Sequence, residues 1–135
     1  MNLSYIWRTY IYDVLAGNGW WIVAPDGVYL RLFAADPFAD GPELEPSFDD
    51  EAAGGSYTGQ PLPMTETTPG TGVNTDPVVF ANMPAGTWTH WGLATTPGDS
   101  FPGTLIATGA LTSARTTAAG SSLTLAAGDF GFSIT

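Results

Sequence analysis

Apolar residues recur at helical spacing only once: Leu3, Ile6, Trp7, Tyr10, Ile11, Val14 and Leu15 lie a turn apart, and Gly17 follows where a helix can end in the left-handed conformation. The pattern predicts one N-terminal helix within residues 1–17. Its other face carries Tyr5, Arg8, Thr9, Tyr12 and Asp13, only mildly polar and with two aromatic rings, which makes Tyr5, Arg8 and Tyr12 candidate interface residues. Gly17, Asn18 and Gly19 then read as a turn. The adjacent Trp20 and Trp21 must point to opposite sides of an extended chain, so at least one of them is a further interface candidate.

From Val28 the period changes to two. Val28, Leu30 and Leu32 fall on one face while Tyr29, Arg31 and Phe33 fall on the other, which describes a strand covered on both sides; Pro37 and Gly41 follow as breakers. Short β-prone runs punctuated by Gly, Pro, Asn and Asp predict further strands at 56–62, 77–82, 89–95, 104–111, 114–117, 121–125 and 130–134. In the last of these Phe130, Phe132 and Ile134 alternate with Gly131 and Ser133, the pattern of a half-buried outer strand. Residues 34–55, dense in Asp, Glu and Pro, and 63–76, dense in Thr, Gly and Pro, read as long loops, of a length that is usually either mobile or recruited to a binding surface. The expected fold is mainly β: an antiparallel β-sandwich or barrel-like domain over 28–135, with one N-terminal α-helix and long loops, in a single domain of residues 1–135.

Composition narrows the function. The chain of 135 residues is 44% hydrophobic, enough for a sandwich-sized core. Thirteen acidic residues against three basic ones (3 − 13 = −10) leave only Arg8, Arg31 and Arg115 as cations, with no lysine. Phosphate recognition draws on clustered Lys and Arg, so nucleic acid and anionic membranes are poor partners, whereas a basic protein surface would attract this one. The absence of cysteine removes disulfides and thiolate metal sites, leaving packing and assembly to hold the fold. No basic start precedes an apolar core at the N-terminus, and no uncharged apolar run reaches spanning length, so the expectation is a soluble protein without an export signal.

Catalytic chemistry finds little to work with. His90 is the only histidine, flanked by aromatic residues in a predicted strand, and there is no cysteine and no Gly-x-Ser-x-Gly elbow. A packed, hydrogen-bonded imidazole is the simpler reading, and one histidine is poor provision for zinc. The acidic run Asp36, Asp40, Glu43, Glu45, Asp49, Asp50 and Glu51 offers oxygen ligands for calcium, yet Phe38 and Ser47 occupy positions where an EF-hand loop needs ligands. Asp49, Asp50 and Glu51 are contiguous, which gives no fixed separation for glycoside hydrolysis. Trp20, Trp21, Trp88 and Trp91 have the flat faces on which sugar rings stack, but core and interface filling is the commoner use. No catalytic, cofactor-binding or metal-binding residue is assigned, and an enzyme is not expected.

The order and spacing of several segments resemble a known family, the small structural proteins of tailed bacteriophages described as tail fibre or head decoration proteins. The residues that carry the resemblance are the helix 3–15, Ala24-Pro25, 28–37, Gly41, Gly54 to Tyr57, Gln60, Asn74-Thr75, 78–80, Trp88 to Gly92, 103–111 and 119–129. Small residues at Ala35 and Gly59 replace the threonine and the basic residue frequent in the family, and the acidic stretch before Gly54 is long. The resemblance implies a non-enzymatic virion protein without a cofactor. It also implies, as the leading expectation, a capsid decoration (cement) protein that binds the phage major capsid protein as a homotrimer on the outer surface of the head, assembled in the host cytoplasm. The alternative it implies is a tail fibre or baseplate component, with tail proteins as partners and a part in host adsorption.

Overall fold

The computed structural model describes residues 2–4, 7–9, 28–41, 44–68, 71–101 and 104–133. Within them the chain forms ten antiparallel strands: β1 Asn2–Leu3, β2 Tyr29–Phe33, β3 Gln60–Pro61, β4 Met64–Thr68, β5 Thr71–Asn74, β6 Val78–Phe80, β7 Gly86–Ala94, β8 Leu105–Thr117, β9 Leu123–Leu125 and β10 Gly131–Ser133. A five-stranded sheet runs β1-β8-β7-β2-β3, a three-stranded sheet β10-β5-β4, and a two-stranded sheet β6-β9. None of the three closes into a barrel. The mainly β, antiparallel expectation is met.

β2 shows why the period-two pattern works. Leu30 and Leu32 join the main core with Trp91, Leu93 and Ala107 of the same sheet and with Val78, Phe80, Leu123 and Leu125 of the two-stranded sheet. Phe33, on the opposite face, packs with Phe38, Ala94 and Leu105 in a second, smaller cluster. Each large apolar side chain buried in this way contributes about 1.5–3 kcal/mol, so the main core is the dominant source of stability. In it the Trp91 ring meets Phe130 edge-on at 5.0 Å between centroids. Gly109 makes room for that ring, because a Cβ at this position would lie 2.4 Å from the indole.

Four expectations need correction. The helix does not begin at Leu3: Asn2 and Leu3 pair with Thr108 and Ala107 of β8, and the buried Ser4 starts a helical turn at residues 7–9. Its Oγ accepts from the Trp7 N–H at 3.4 Å and its carbonyl from the Arg8 N–H at 3.0 Å, an N-cap arrangement that a hydrophobic count overlooks. The remainder of the predicted helix lies outside the described residues.

Within 63–76, predicted as a loop, residues 64–68 and 71–74 are strands. Rich in β-branched threonine, β4 and β5 pair antiparallel with a register shift between Glu66 and Thr68, and β10 adds the third strand. Asn74 ties this sheet to the following turn: its Nδ2 donates to the carbonyls of Asp76 and Ala126, both at 2.9 Å, and its Oδ1 accepts from the Phe130 N–H at 2.9 Å. The predicted strand 56–62 shrinks to Gln60–Pro61, because Gly54 and Gly55 take φ of 108° and 60° and turn the chain, with the Tyr57 N–H bonded to the Gly54 carbonyl. Finally, 104–111 and 114–117 are one strand. Trp88 pairs with Arg115 and His90 with Ala110, so Thr89 alone faces Leu111, Thr112, Ser113 and Ala114, a bulge that imitates a strand break.

Candidate functional site

Because β2 turns Leu30 and Leu32 into the main core, Arg31 must face the other way, and there it is completely buried. A buried cation is tolerable only when paired and hydrogen-bonded throughout. The chain meets that demand from two distant segments. Nε of Arg31 donates to Glu51 Oε1 at 2.6 Å and Nη2 to Glu51 Oε2, a bidentate fork, while Nη1 donates to the Asp99 carbonyl at 2.7 Å. The guanidinium also lies 5.0 Å from the centroid of the Phe48 ring.

Local backbone pairing delivers Glu51 to that position. The acidic segment 34–55 leaves β2, turns back, and runs beside it: the Ala34 N–H donates to the Asp50 carbonyl at 2.8 Å and the Ala52 N–H to the Leu32 carbonyl at 3.0 Å, with Phe33 bridged to Glu51. Phe38 plugs into the smaller core and Phe48 packs against it, so the predicted loop is folded onto the sheet by its aromatic residues. On the other side Gly59 packs close: a Cβ there would lie 2.8 Å from the Pro97 carbonyl oxygen and 2.9 Å from Arg31 Cγ. The small residue at 59 is therefore a packing requirement of the buried arginine.

Tyr57 completes the cluster. Its hydroxyl oxygen accepts from the Leu32 N–H at 2.9 Å, and its ring stacks on Phe80 with centroids 5.9 Å apart. Burial pushes the hydroxyl pKa well above its ordinary value; the Leu32 bond opposes that shift and the Glu51 carboxylate adds to it. Tyr57 stays neutral at physiological pH.

Above this cluster a cleft of about 350 Å³ opens between residues 48–58 and 97–100, with Phe48, Asp49, Glu51, Tyr57, Thr58 and Ser100 on its walls. Arg31 binds Glu51 on one wall and Asp99 behind the other, so one buried side chain fixes the distance between them. The second wall is stiffened locally. The Asp99 N–H donates to Thr96 Oγ1 at 3.2 Å, the Phe101 N–H to Asp99 Oδ1 at 3.0 Å, and the Thr104 N–H to the Phe101 carbonyl at 2.9 Å. Phe101 is nevertheless 67% exposed.

The residues singled out in the sequence fall into three groups. Trp88 and Trp91 are core residues, and Trp88 Nε1 donates to Thr117 Oγ1 at 2.9 Å. His90 lies on β7 with Nδ1 2.8 Å from Thr89 Oγ1; that hydroxyl already donates its proton to the Ala34 carbonyl at 2.7 Å, so the imidazole donates and Nδ1 carries the proton. Among the described residues no three His, Asp or Glu side chains converge as metal ligands. Of the interface candidates, Arg8 is exposed on the helical turn, whereas Tyr5, Tyr12, Trp20 and Trp21 lie outside the described residues. Neither Arg31 nor Phe101 is among the interface residues that the sequence pattern predicts. The available signal for Arg31 was a rare cation inside a strand predicted to be covered on both sides, followed by an acidic run; Phe101 carries no such signal.

A family model described as Podophage GP4 fiber I protein gp80 matches residues 2–133. No curated protein matches the chain.

Proposed function

We propose that this chain, which belongs to the podophage GP4 fiber I protein gp80 family, is a fibre component displayed on the outside of the phage particle. Membership makes it a phage structural protein and part of the virion. The observation that carries the fibre reading is the extent of the match, residues 2–133, which takes in every strand of the fold. The framework agrees with such a role: cysteine-free sheets closed by apolar packing, and an acidic, lysine-free composition that repels nucleic acid. Assembly as a homotrimer, with tail proteins as neighbours, belongs to this proposal, as do Tyr5, Arg8, Tyr12, Trp20 and Trp21 as contacts between chains.

One observation favours a second reading, capsid decoration. Asp40, Glu45, Asp49, Asp50 and Asp99 are exposed in segments adjoining the β2 edge, and a surface of that kind suits docking on a basic patch of the major capsid protein. Repeated weak contacts of this type add up over a lattice.

Cryo-electron microscopy of virions, with the chain located by a peptide tag, tests both readings. A few copies in slender projections support the fibre; regular occupancy of the head in hundreds of copies, released by high salt because screening weakens charge attraction, supports decoration instead. A tag found in neither place overturns both. Native mass spectrometry of the purified chain checks the trimer, which Tyr5→Ala and Tyr12→Ala should weaken.

A further inference from the structure

We infer that the cleft between residues 48–58 and 97–100 is a binding site for a neutral saccharide of one or two rings. The inference rests on the reading that the chain is displayed on the virion exterior. Three observations carry it. The first is size: about 350 Å³ stands at the small end of the range for small-molecule sites, roughly 300–1,000 Å³. That volume suits a sugar unit.

The second is the chemistry of the walls. Asp49, Thr58 and Ser100 are exposed there and offer a carboxylate and two hydroxyls. Glu51 stands behind them, its side chain 11% exposed and its two oxygens engaged by Arg31 Nε and Nη2. No cation on these walls can be reached from solvent, because Arg31 is fully buried with its donors turned to Glu51 and Asp99. An acidic ligand would therefore meet only like charge on a chain of net charge −10. An ammonium group gains little from Glu51, whose charge Arg31 already neutralises, and would find Asp49 as the one uncompensated carboxylate of the lining. A polyol satisfies that carboxylate and the hydroxyls together by donating to the former and exchanging hydrogen bonds with the latter.

The third is Phe101. It follows Ser100 in the chain, just beyond the residues that line the cleft, and is 67% exposed, yet its backbone is held at both its N–H and its carbonyl, in a loop anchored to Arg31 through Asp99. An aromatic ring presented from a fixed backbone beside the cleft offers a flat apolar platform for the C–H face of a second sugar ring that extends past Ser100, and little ordering entropy is lost on binding.

The test is nuclear magnetic resonance titration of the ¹⁵N-labelled full chain with glucose, galactose, rhamnose and N-acetylglucosamine, set against glucuronate and N-acetylneuraminate. The expected result is saturable shifts of the amides in 48–58 and 97–101 with at least one neutral sugar, and binding of the acidic sugars weaker by about tenfold or more. Asp49→Asn and Phe101→Ala, both at exposed positions, should each weaken binding about tenfold while leaving the melting temperature in place. The inference is overturned if no neutral sugar of the panel binds saturably at millimolar concentration, if shifts map elsewhere, if glucuronate binds as well as glucose, or if a lysine-rich peptide alone occupies these amides. Failure of the fibre reading is distinguishable: a chain located on the head shell that still binds sugar here keeps the site and loses the fibre, and a fibre chain with an inert cleft does the reverse.

Discussion

The two faces of β2 are held by different physics. On one, Leu30 and Leu32 enter a core drawn from two sheets, where stability scales with apolar area and many residues share it. On the other, beside the smaller apolar cluster around Phe33, Arg31 is buried beneath the acidic segment, and its tolerance depends on one carboxylate, one carbonyl and one aromatic ring. The apolar face degrades by degrees when truncated. The polar face is closer to all-or-none, because removing one partner strands the other. The same arginine, through Glu51 and the Asp99 carbonyl, joins the two walls of the cleft, so the less forgiving face is also the one that carries the candidate site.

The largest expected effect separates the faces directly. Arg31→Met leaves Glu51 poorly solvated and unpaired and should cost about 3–5 kcal/mol, whereas Arg31→Met with Glu51→Leu should recover most of that loss. Leu32→Ala should cost about 2–5 kcal/mol with no second substitution to rescue it as cleanly. Urea unfolding of the variants gives these values, and a single Arg31→Met variant within about 1 kcal/mol of wild type would erase the contrast.

Tyr57→Phe sharpens the comparison at the boundary between the faces. It leaves the Leu32 N–H without its acceptor and should cost about 1–3 kcal/mol in the same assay. It also changes the alkaline limb. The Tyr57 pKa is raised in the folded state above the ordinary 10.0, so above pH 10 the unfolded chain releases this proton first and stability falls as pH rises toward the folded value. Below pH 10 the contribution is fully present. The Phe variant should lack this part of the alkaline loss, and unchanged pH profiles in the two proteins would contradict the assignment.

The smallest effect runs in the stabilising direction. Thr108 on β8 is fully buried, and its Oγ1 has no hydrogen-bond partner. Thr108→Val keeps the shape, removes the unsatisfied hydroxyl, and should raise stability by about 1 kcal/mol in thermal melts. A loss of stability would point to a partner for the hydroxyl, such as an ordered water.

Much of the framework was legible from periodicity. Alternation at 28–33 located β2 and its two covered faces, and the runs near 78–80 and 123–125 located the two-stranded sheet. Legibility failed where local chemistry competes with hydrophobic counting. Thr-rich residues 63–76 looked like a loop because Pro and Gly punctuate them, though β-branched threonines suit paired strands. The bulge opposite Thr89 looked like the end of one strand and the start of another. The cleft was harder still, since its walls come from segments at least 39 residues apart (97 − 58 = 39), joined through Arg31.

By itself the sequence determined that this protein is mainly β, acidic, free of cysteine and built on alternating strands, because composition and period are local properties that need no third dimension. It also carried the resemblance to phage structural proteins, through the order of many short segments. Only the tertiary structure decided that Arg31 is buried, that Glu51 rather than any other acid of its run is its partner, and that Phe101 is displayed while Phe38 and Phe48 are packed. Those outcomes depend on which segments return to the same edge of β2. Desolvation and pairing act between residues distant along the chain, and neither appears in a sequence until the sheet brings them together.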